Sequence, residues 1–326
     1  METMAAIANV ASARDHKITN TRLRAAYMYY VEGMTQNEIA DRLGVGRVTV
    51  VRHLNEARRR REVRFEVDGG IGGCVHLEMK LESRFGLDKA VVAPDSGDPS
   101  TINSLVGFCA GAYLSELLDD GLSIGVGWGQ TLVRSLVTLA PRTLKNASVV
   151  SLLGGVYQAR DYNPSEFAWQ MASTIGAECF LFPAPVLVDS AETRKTLLDK
   201  CGLSRVVERA RNADIAVVSV GSMDTSSTAL NYCRDMLDGD IRQELIEAGA
   251  VGDLFFNFFD AGGQIIDHPI NDRVMNVPVP DLRNIPQRVL VAGGRHKLQA
   301  IRAALGMIQS TALITNEDVA RLLVES

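Results

Sequence analysis

The chain has 326 residues, 46 % of them hydrophobic, and a formal net charge of −5. That is long for one domain and apolar enough to bury a substantial core, and two domains are the better expectation. Five cysteines, at 74, 109, 179, 201 and 233, form no C-x-x-C pair, which argues against a zinc site or a disulfide framework. No apolar run reaches about 18 residues and the N-terminus lacks the basic-then-apolar order of a signal peptide, so a soluble, cytoplasmic chain without a membrane span is expected.

The mild acidity hides an asymmetry. Residues 1–64 carry twelve Arg/Lys and seven Asp/Glu, a net of +5, which leaves 22 basic and 32 acidic side chains, a net of −10, for the rest. A basic head on an acidic body is the distribution expected when only one domain meets phosphate. The division falls at 1–66 and 67–326.

Residues 1–16 show no period and are expected to fray. From Thr19, helical spacing places Leu23, Tyr27 and Tyr30–Val31 on one face, and Gly33 ends that helix. Thr35 caps the next, "QNEIADRL", with Glu38 completing a capping box and Ile39, Ala40 and Leu43 inward. After "GVG" a third helix runs from Arg47 to about Arg60. This is a helix-turn-helix. Ala40 is small where the third helix crosses, Gly44 supplies a positive φ, and Val45, Val50 and Leu54 fill the wedge. With those inward, Arg47, Val48, Val51 and Arg52 project from the end that enters a major groove. Arg pairs bidentately with guanine and Val packs on a thymine methyl, while Thr49 suits phosphate. Gln36, opening the preceding helix, joins the candidate contacts to double-stranded operator DNA. Arg58–Arg61 complement the helix dipole and grip backbone or join the linker. Gly46 stands where Ser or Thr would cap, and His53 reads as a half-buried packing histidine.

After "VRFEVDGGIGG", a glycine-rich hinge, short Val/Ile/Leu runs alternate with amphipathic helices. Strands are expected at 89–94, 122–128, 147–155, 214–221, 288–294 and 311–315. Helices are expected at 100–119, 130–140, 163–175, 192–211 and 296–307, with a last one capped by Asn316. The fold class is therefore α/β: a small all-α head, then a larger Rossmann-like domain with a mainly parallel sheet covered on both faces. Ligands in such sheets sit beyond the carboxyl ends of the strands. "GVGWGQT" (125–131), "LLGGV" (152–156), "VGSMD" (220–224) and "VAGGRHK" (291–297) each end a strand in glycine plus a polar group. Their amides suit a phosphate-bearing or polyhydroxylated ligand, and Gly129, Gln130, Thr131 and Gly221 fall in these turns. Asp253 reads equally as a turn residue or a hydroxyl ligand. Phe255, Phe256, Phe258 and Phe259 read as core or subunit interface.

The stretches "YYVEGMTQNEIADRLGVGRVTVVRHL", "GVGWGQTL", "AGAVGDLFFNFFDAGGQIIDHPINDRV", "VAGGRHKLQAIRAAL" and "LITNEDVARLL", spanning nearly the whole chain, resemble the SorC family of bacterial sugar-responsive transcriptional regulators. The resemblance implies an effector domain similar to ribose-phosphate isomerase and glucosamine-phosphate deaminase, and an oligomer, usually a tetramer; a homo-oligomer (dimer or tetramer) without cofactor or metal is expected. It implies that Gly127, Gly129, Thr131, Gly154, Gly155, Asp253 and Lys297 line the effector pocket. Gly46 and His53 depart from the family's usual Ser and Leu. Gln130–Thr131 replaces the paired hydroxyl residues of phosphosugar binders, which leaves room for an unphosphorylated polyol of the erythritol type. The function expected is a repressor of a sugar or polyol catabolic operon. The competing reading is a sugar-phosphate isomerase or deaminase with Asp253 as base and Lys297 as electrophile, although no second acid–base pair stands in a recognisable motif.

Overall fold

The structure, a computed structural model of the chain, describes residues 20–60, 62–63, 71–156, 163–223 and 240–325. Residues 1–16, Arg61, most of the glycine-rich stretch, Asp224 and Cys233 lie outside the described residues. The chain divides into two compact units, Met1–Val67 and Asp68–Ser326.

The first unit contains α1 (residues 20–30), α2 (Gln36–Leu43) and α3 (Arg47–Arg59). Its core is Ala25 and Ala26 of α1 against Ile39, Ala40, Val50, Leu54 and Ala57. Of the face of α1 that spacing singled out, Tyr30 is half-buried and packs on this core, whereas Leu23, Tyr27 and Val31 are 43 %, 56 % and 66 % exposed. Two alanines turn inward because only small side chains let three short helices approach closely. Period alone does not say which of two faces is covered. Arg22 is buried beside them, and its Nε and Nη2 donate to the Glu62 carboxylate at 2.7 and 2.5 Å.

The second unit has ten strands among its described residues: β1 (Lys89–Ala93), β2 (Ser123–Val126), β3 (Ser148–Ser151), β4 (Glu178–Phe180), β5 (Ile215–Val218), β6 (Gly221–Ser222), β7 (Ala250–Leu254), β8 (Asn257–Asp260), β9 (Gln287–Val291) and β10 (Ala312–Asn316). Seven form one sheet in the order β1-β10-β9-β5-β2-β3-β4, with every neighbouring pair parallel. β6, β7 and β8 form a small antiparallel sheet. The helices are α4 (Ile71–Phe85), α5 (Ile102–Leu117), α6 (Gln130–Ser135), α7 (Pro164–Ile175), α8 (Ala191–Lys200), α9 (Ser204–Arg211), α10 (Ile241–Glu247), α11 (Leu298–Met307) and α12 (Glu317–Glu325).

Sheet residues alternate between two apolar layers. Ile124, Val126, Val217, Val289 and Ile314 meet α5, α6 and α7, whereas Val150, Ala216, Val218, Leu290 and Leu313 join the layer that holds α4, α11 and α12. Both faces are covered, as an all-parallel sheet requires.

All six expected strands form. The sequence reading missed β4, the β6–β8 sheet, α4 and α10. The expected helix at 192–211 is two, α8 and α9, separated at Gly202 with φ 77°. The one at 130–140 ends at Ser135. The hinge is shorter than its glycines suggested: α4 begins at Ile71, with Cys74, Leu77 and Leu81 at helical spacing in the core. α4 also covers an edge. Glu82 Oε1 accepts from Ala90 N–H and Glu78 Oε1 from Val92 N–H, each at 2.9 Å, so the outer row of β1 is satisfied by side chains.

α5 and α6 cross unusually closely. A Cβ on Gly107 would stand 2.4 Å from Arg134 Cβ, and one on Gly111 would stand 2.0 Å from Ser135 O. Gly111→Ala therefore forces the helices apart, and urea unfolding should show a loss of about 1–3 kcal/mol. Gly306→Ala, on the helix face of α11 where nothing lies within 4 Å, should instead add about 0.5–1 kcal/mol. Equal responses at the two positions would contradict the close crossing.

Candidate functional site

In the first unit the predicted turn forms as its residues require. Thr35 and Glu38 make the full capping box, Gly44 sits at φ 64°, and Gly46 opens α3 without a side-chain cap. Arg47, Val48 and Arg52 are exposed, Val48 to 83 %, while Thr49 and Val51 are half-buried. Gln36 Oε1 accepts from Arg47 Nε at 3.3 Å, so α2 steadies the first arginine of α3. The basic run is not uniform: Glu56 receives both Arg59 and Arg60, at 2.9 and 2.5 Å. Those hydrogen bonds, Arg59's first, hold its carboxyl at about 2. Arg58 Nη2 donates to Asn55 Oδ1 at 2.8 Å. His53 is buried, and burial, reinforced by Arg52 and Arg22, pushes its imidazole below the ordinary value.

In the second unit the strand order creates a topological switch point. From β2 the chain builds outward through β3 and β4, then returns to lay β5 on the other side of β2 and continue to β9. The crevice at such a point lies beyond the carboxyl ends of β2 and β5. The turns carrying Gly127–Thr131 and Ser219–Gly221 follow those two strands. They are close, since a Cβ on Gly129 would lie 3.7 Å from Ser219 Cβ.

The predicted effector residues divide into two sets. Gly129, Gln130, Gly155, Gly221 and Lys297 are reached by solvent, whereas Gly127, Thr131, Gly154 and Asp253 are buried beneath them. Four glycine amides expected to face a ligand already donate within the protein. Gly127 N–H goes to Val217 O, Gly154 N–H to Met275 O, Gly155 N–H to Ala184 O and Gly294 N–H to Asn316 Oδ1, all at 2.8–2.9 Å. The Thr131 hydroxyl donates to Asn103 Oδ1 at 3.0 Å.

The buried set is organised by the β7–β8 turn, where Phe255 and Phe256 lie at φ 55° and 63°. Gly127 is a glycine because the Phe255 ring occupies the place of its side chain, 2.6 Å from an ideal Cβ. Trp128 stacks on Phe256 with centroids 5.2 Å apart. Asp253 Oδ2 accepts from Phe256 N–H at 3.2 Å, and Gly221 leaves the space that the Asp253 carboxylate fills. The same carboxylate acts on Lys297. Burial lowers the lysine's pKa from its ordinary value, and Asp253 opposes that shift. The residue as a whole keeps partial exposure while its ammonium is deep enough for desolvation to dominate. Sequence reasoning missed Asn103, Ser219 and the Gln36–Arg47 contact. None lies in a motif of its own, and each depends on elements distant in the chain. Among the described residues no cluster of His, Cys, Asp and Glu suits a metal ion, and no helix is long and apolar enough to cross a membrane.

Residues 70–325 match the family described as "Putative sugar-binding domain", and residues 25–60 match sigma-70 region 4. The erythritol catabolism regulatory protein of Brucella abortus (strain 2308) is 31 % identical over 305 residues, 93 % of this chain and 95 % of that protein. The deoxyribonucleoside regulator of Bacillus subtilis (strain 168) is 30 % identical over 318 residues, 95 % and 99 % of the two chains. The full-length sorbitol operon regulator SorC from Klebsiella pneumoniae is similar in structure, with a TM-score of 0.71 and 24 % identity, over 94 % of this chain and 99 % of that one. A helix-turn-helix head and a sugar-binding α/β body define a sugar-responsive DNA-binding transcriptional regulator. The chain belongs to the SorC family.

His53 is expected to make the head sensitive to acid. The unfolded chain takes up its proton near the ordinary value of 6.5 and the folded head only at lower pH, so stability is full above 6.5 and falls on acidification. Opening free energies of α2 and α3 from hydrogen exchange should drop between pH 7 and 5.5 in the wild type, and less in His53→Leu. An equal drop in both would exclude His53 as the cause.

Proposed function

We propose that residues 1–66 read an operator and residues 67–326 bind a sugar, sugar phosphate or polyol, the protein acting as the repressor of a sugar or polyol catabolic operon. The observation that carries this reading is the exposed start of α3, with Arg47 steadied by Gln36 on one face of the helix-turn-helix. Arg47 and Arg52 are assigned to guanine edges, Val48 and the half-buried Val51 to thymine methyls, and Thr49 to phosphate. Gln36 orients Arg47. One such helix spans few base pairs, so the working form is a homo-oligomer, a dimer or a tetramer, in the cytoplasm. Support for the effector class comes from the names of the relatives, one a regulator of erythritol catabolism and one of deoxyribonucleosides.

Gly129, Gln130, Gly155, Gly221 and Lys297 meet the effector, while Gly127, Thr131, Gly154 and Asp253 shape the floor beneath them. The protein is not an enzyme in this reading. A catalytic base needs a carboxylate aimed at substrate, whereas Asp253 is 4 % exposed and accepts from Phe256 N–H.

Band shifts on DNA upstream of the protein's own operon test the head. Arg47→Ala should cut the ratio of specific to non-specific affinity by about 10- to 100-fold, one bidentate contact's worth. Arg58→Ala should leave that ratio alone and reduce the salt slope by about 1. Uniform weakening on all DNA by both variants would show that α3 does not enter the groove by its first turn.

A further inference from the structure

Asn103, Gly107 and Gly111 stand at i, i+4 and i+8 of α5, one stripe of that helix. The two glycines are where α6 lies against α5. Asn103 is the polar end of the same stripe. Its Oδ1 accepts from Thr131 Oγ1 at 3.0 Å and its Nδ2 donates to Gln130 Oε1 at 3.1 Å. Thr131 is 1 % exposed and Gln130 is exposed, so one amide joins a hydroxyl in the interior to a side chain in solvent at the mouth of the crevice. Both functions of Asn103 are engaged. Exchanging its O and N, together with those of Gln130 so that Gln130 Nε2 donates to Asn103 Oδ1, would reverse the direction of the relay and still leave Gln130 held.

A glutamine on a helix surface ordinarily loses rotamer freedom when a ligand orders it. Here the loss falls on folding. The close α5–α6 crossing fixes Asn103 relative to Thr131, and Asn103 fixes Gln130. We propose that Asn103 is a positioning residue of the effector site, which pre-orients Gln130 for a ligand hydroxyl or oxyanion and ties it to the α5–α6 pair. This rests on the crevice being the effector site.

The test is a double-mutant cycle on the full-length protein, using Asn103→Ala, Gln130→Ala and the pair. Erythritol, ribitol, ribose 5-phosphate and inorganic phosphate serve as probes, and apparent affinities come from concentration-dependent thermal shifts. Asn103→Ala should weaken whichever probe stabilises the wild type by about three- to tenfold, the cost of ordering one long side chain. In the Gln130→Ala background it should cost nothing further, because its effect passes through Gln130. A purely structural role would lower the melting temperature without probe and add the same loss in both backgrounds. Additive losses, or unchanged affinity in Asn103→Ala, would overturn the proposal alone. A wild type stabilised by none of the probes would overturn the effector-site reading and this inference with it.

Discussion

Phe255 and Phe256, consecutive and both at positive φ, form the tip of the β7–β8 hairpin, and the carboxyl edge of the sheet is assembled around them. A two-residue turn with both central residues at positive φ fits the twist of a hairpin, but it normally falls to Asn and Gly. Two phenylalanines there cost about 1–3 kcal/mol each. The surroundings offset that cost at each point. Gly127 makes room for one ring, Trp128 stacks on the other, and Asp253 accepts the Phe256 amide. Gly221 in turn makes room for Asp253. The turns after β2 and β5 and the carboxylate that faces Lys297 are thus tied to a single strained hairpin. Strain of this kind concentrates at ligand clamps and switch regions.

The glycines therefore have a different meaning from the one their spacing suggests. A glycine at a strand–helix turn reads as a bare amide for an anion. In this body Gly127, Gly154 and Gly221 are glycines because a ring, a carbonyl and a carboxylate occupy the space of their side chains, and Gly107 and Gly111 because a helix does. Of the residues proposed to meet the effector, Gln130 is exposed and Lys297 only partly so. The head is built on the same economy of space. Alanines bring α1 against α2 and α3, and the buried Arg22, paired with the half-buried Glu62, ties α1 to the segment after α3.

Features whose cause is local in the chain were legible from it. The Thr35 capping box, the positive φ of Gly44, the wedge of Val50 and Leu54 and the six buried parallel strands need only a few neighbouring residues to declare themselves. What was not legible depends on long-range contact. β7 and β8 are short, and "FNFFD" has no alternation to separate strand from core helix. α4 was hidden because Gly69–Gly70 and Gly72–Gly73 read as a hinge although the helix begins between them. Leu23 and Tyr27 of α1 face outward while Ala25 and Ala26 face the core, so side-chain size alone did not mark the inner side. Asn103 had no signal at all. An asparagine in the first turn of a helix is ordinary until Gln130 and Thr131 are brought to it.

In the proposed function the body's ligand and the head's operator are energetically coupled. Coupling of two binding equilibria is reciprocal: if the ligand weakens operator binding by some factor, the operator weakens ligand binding by the same factor. Titration calorimetry of the full-length protein with a stabilising polyol or sugar, carried out free and saturated with operator duplex, measures one side. Operator affinity with and without that compound measures the other. Equal factors are expected, on the order of 5- to 150-fold, and both in the direction of release. Identical ligand affinity in the free and operator-bound protein would contradict it.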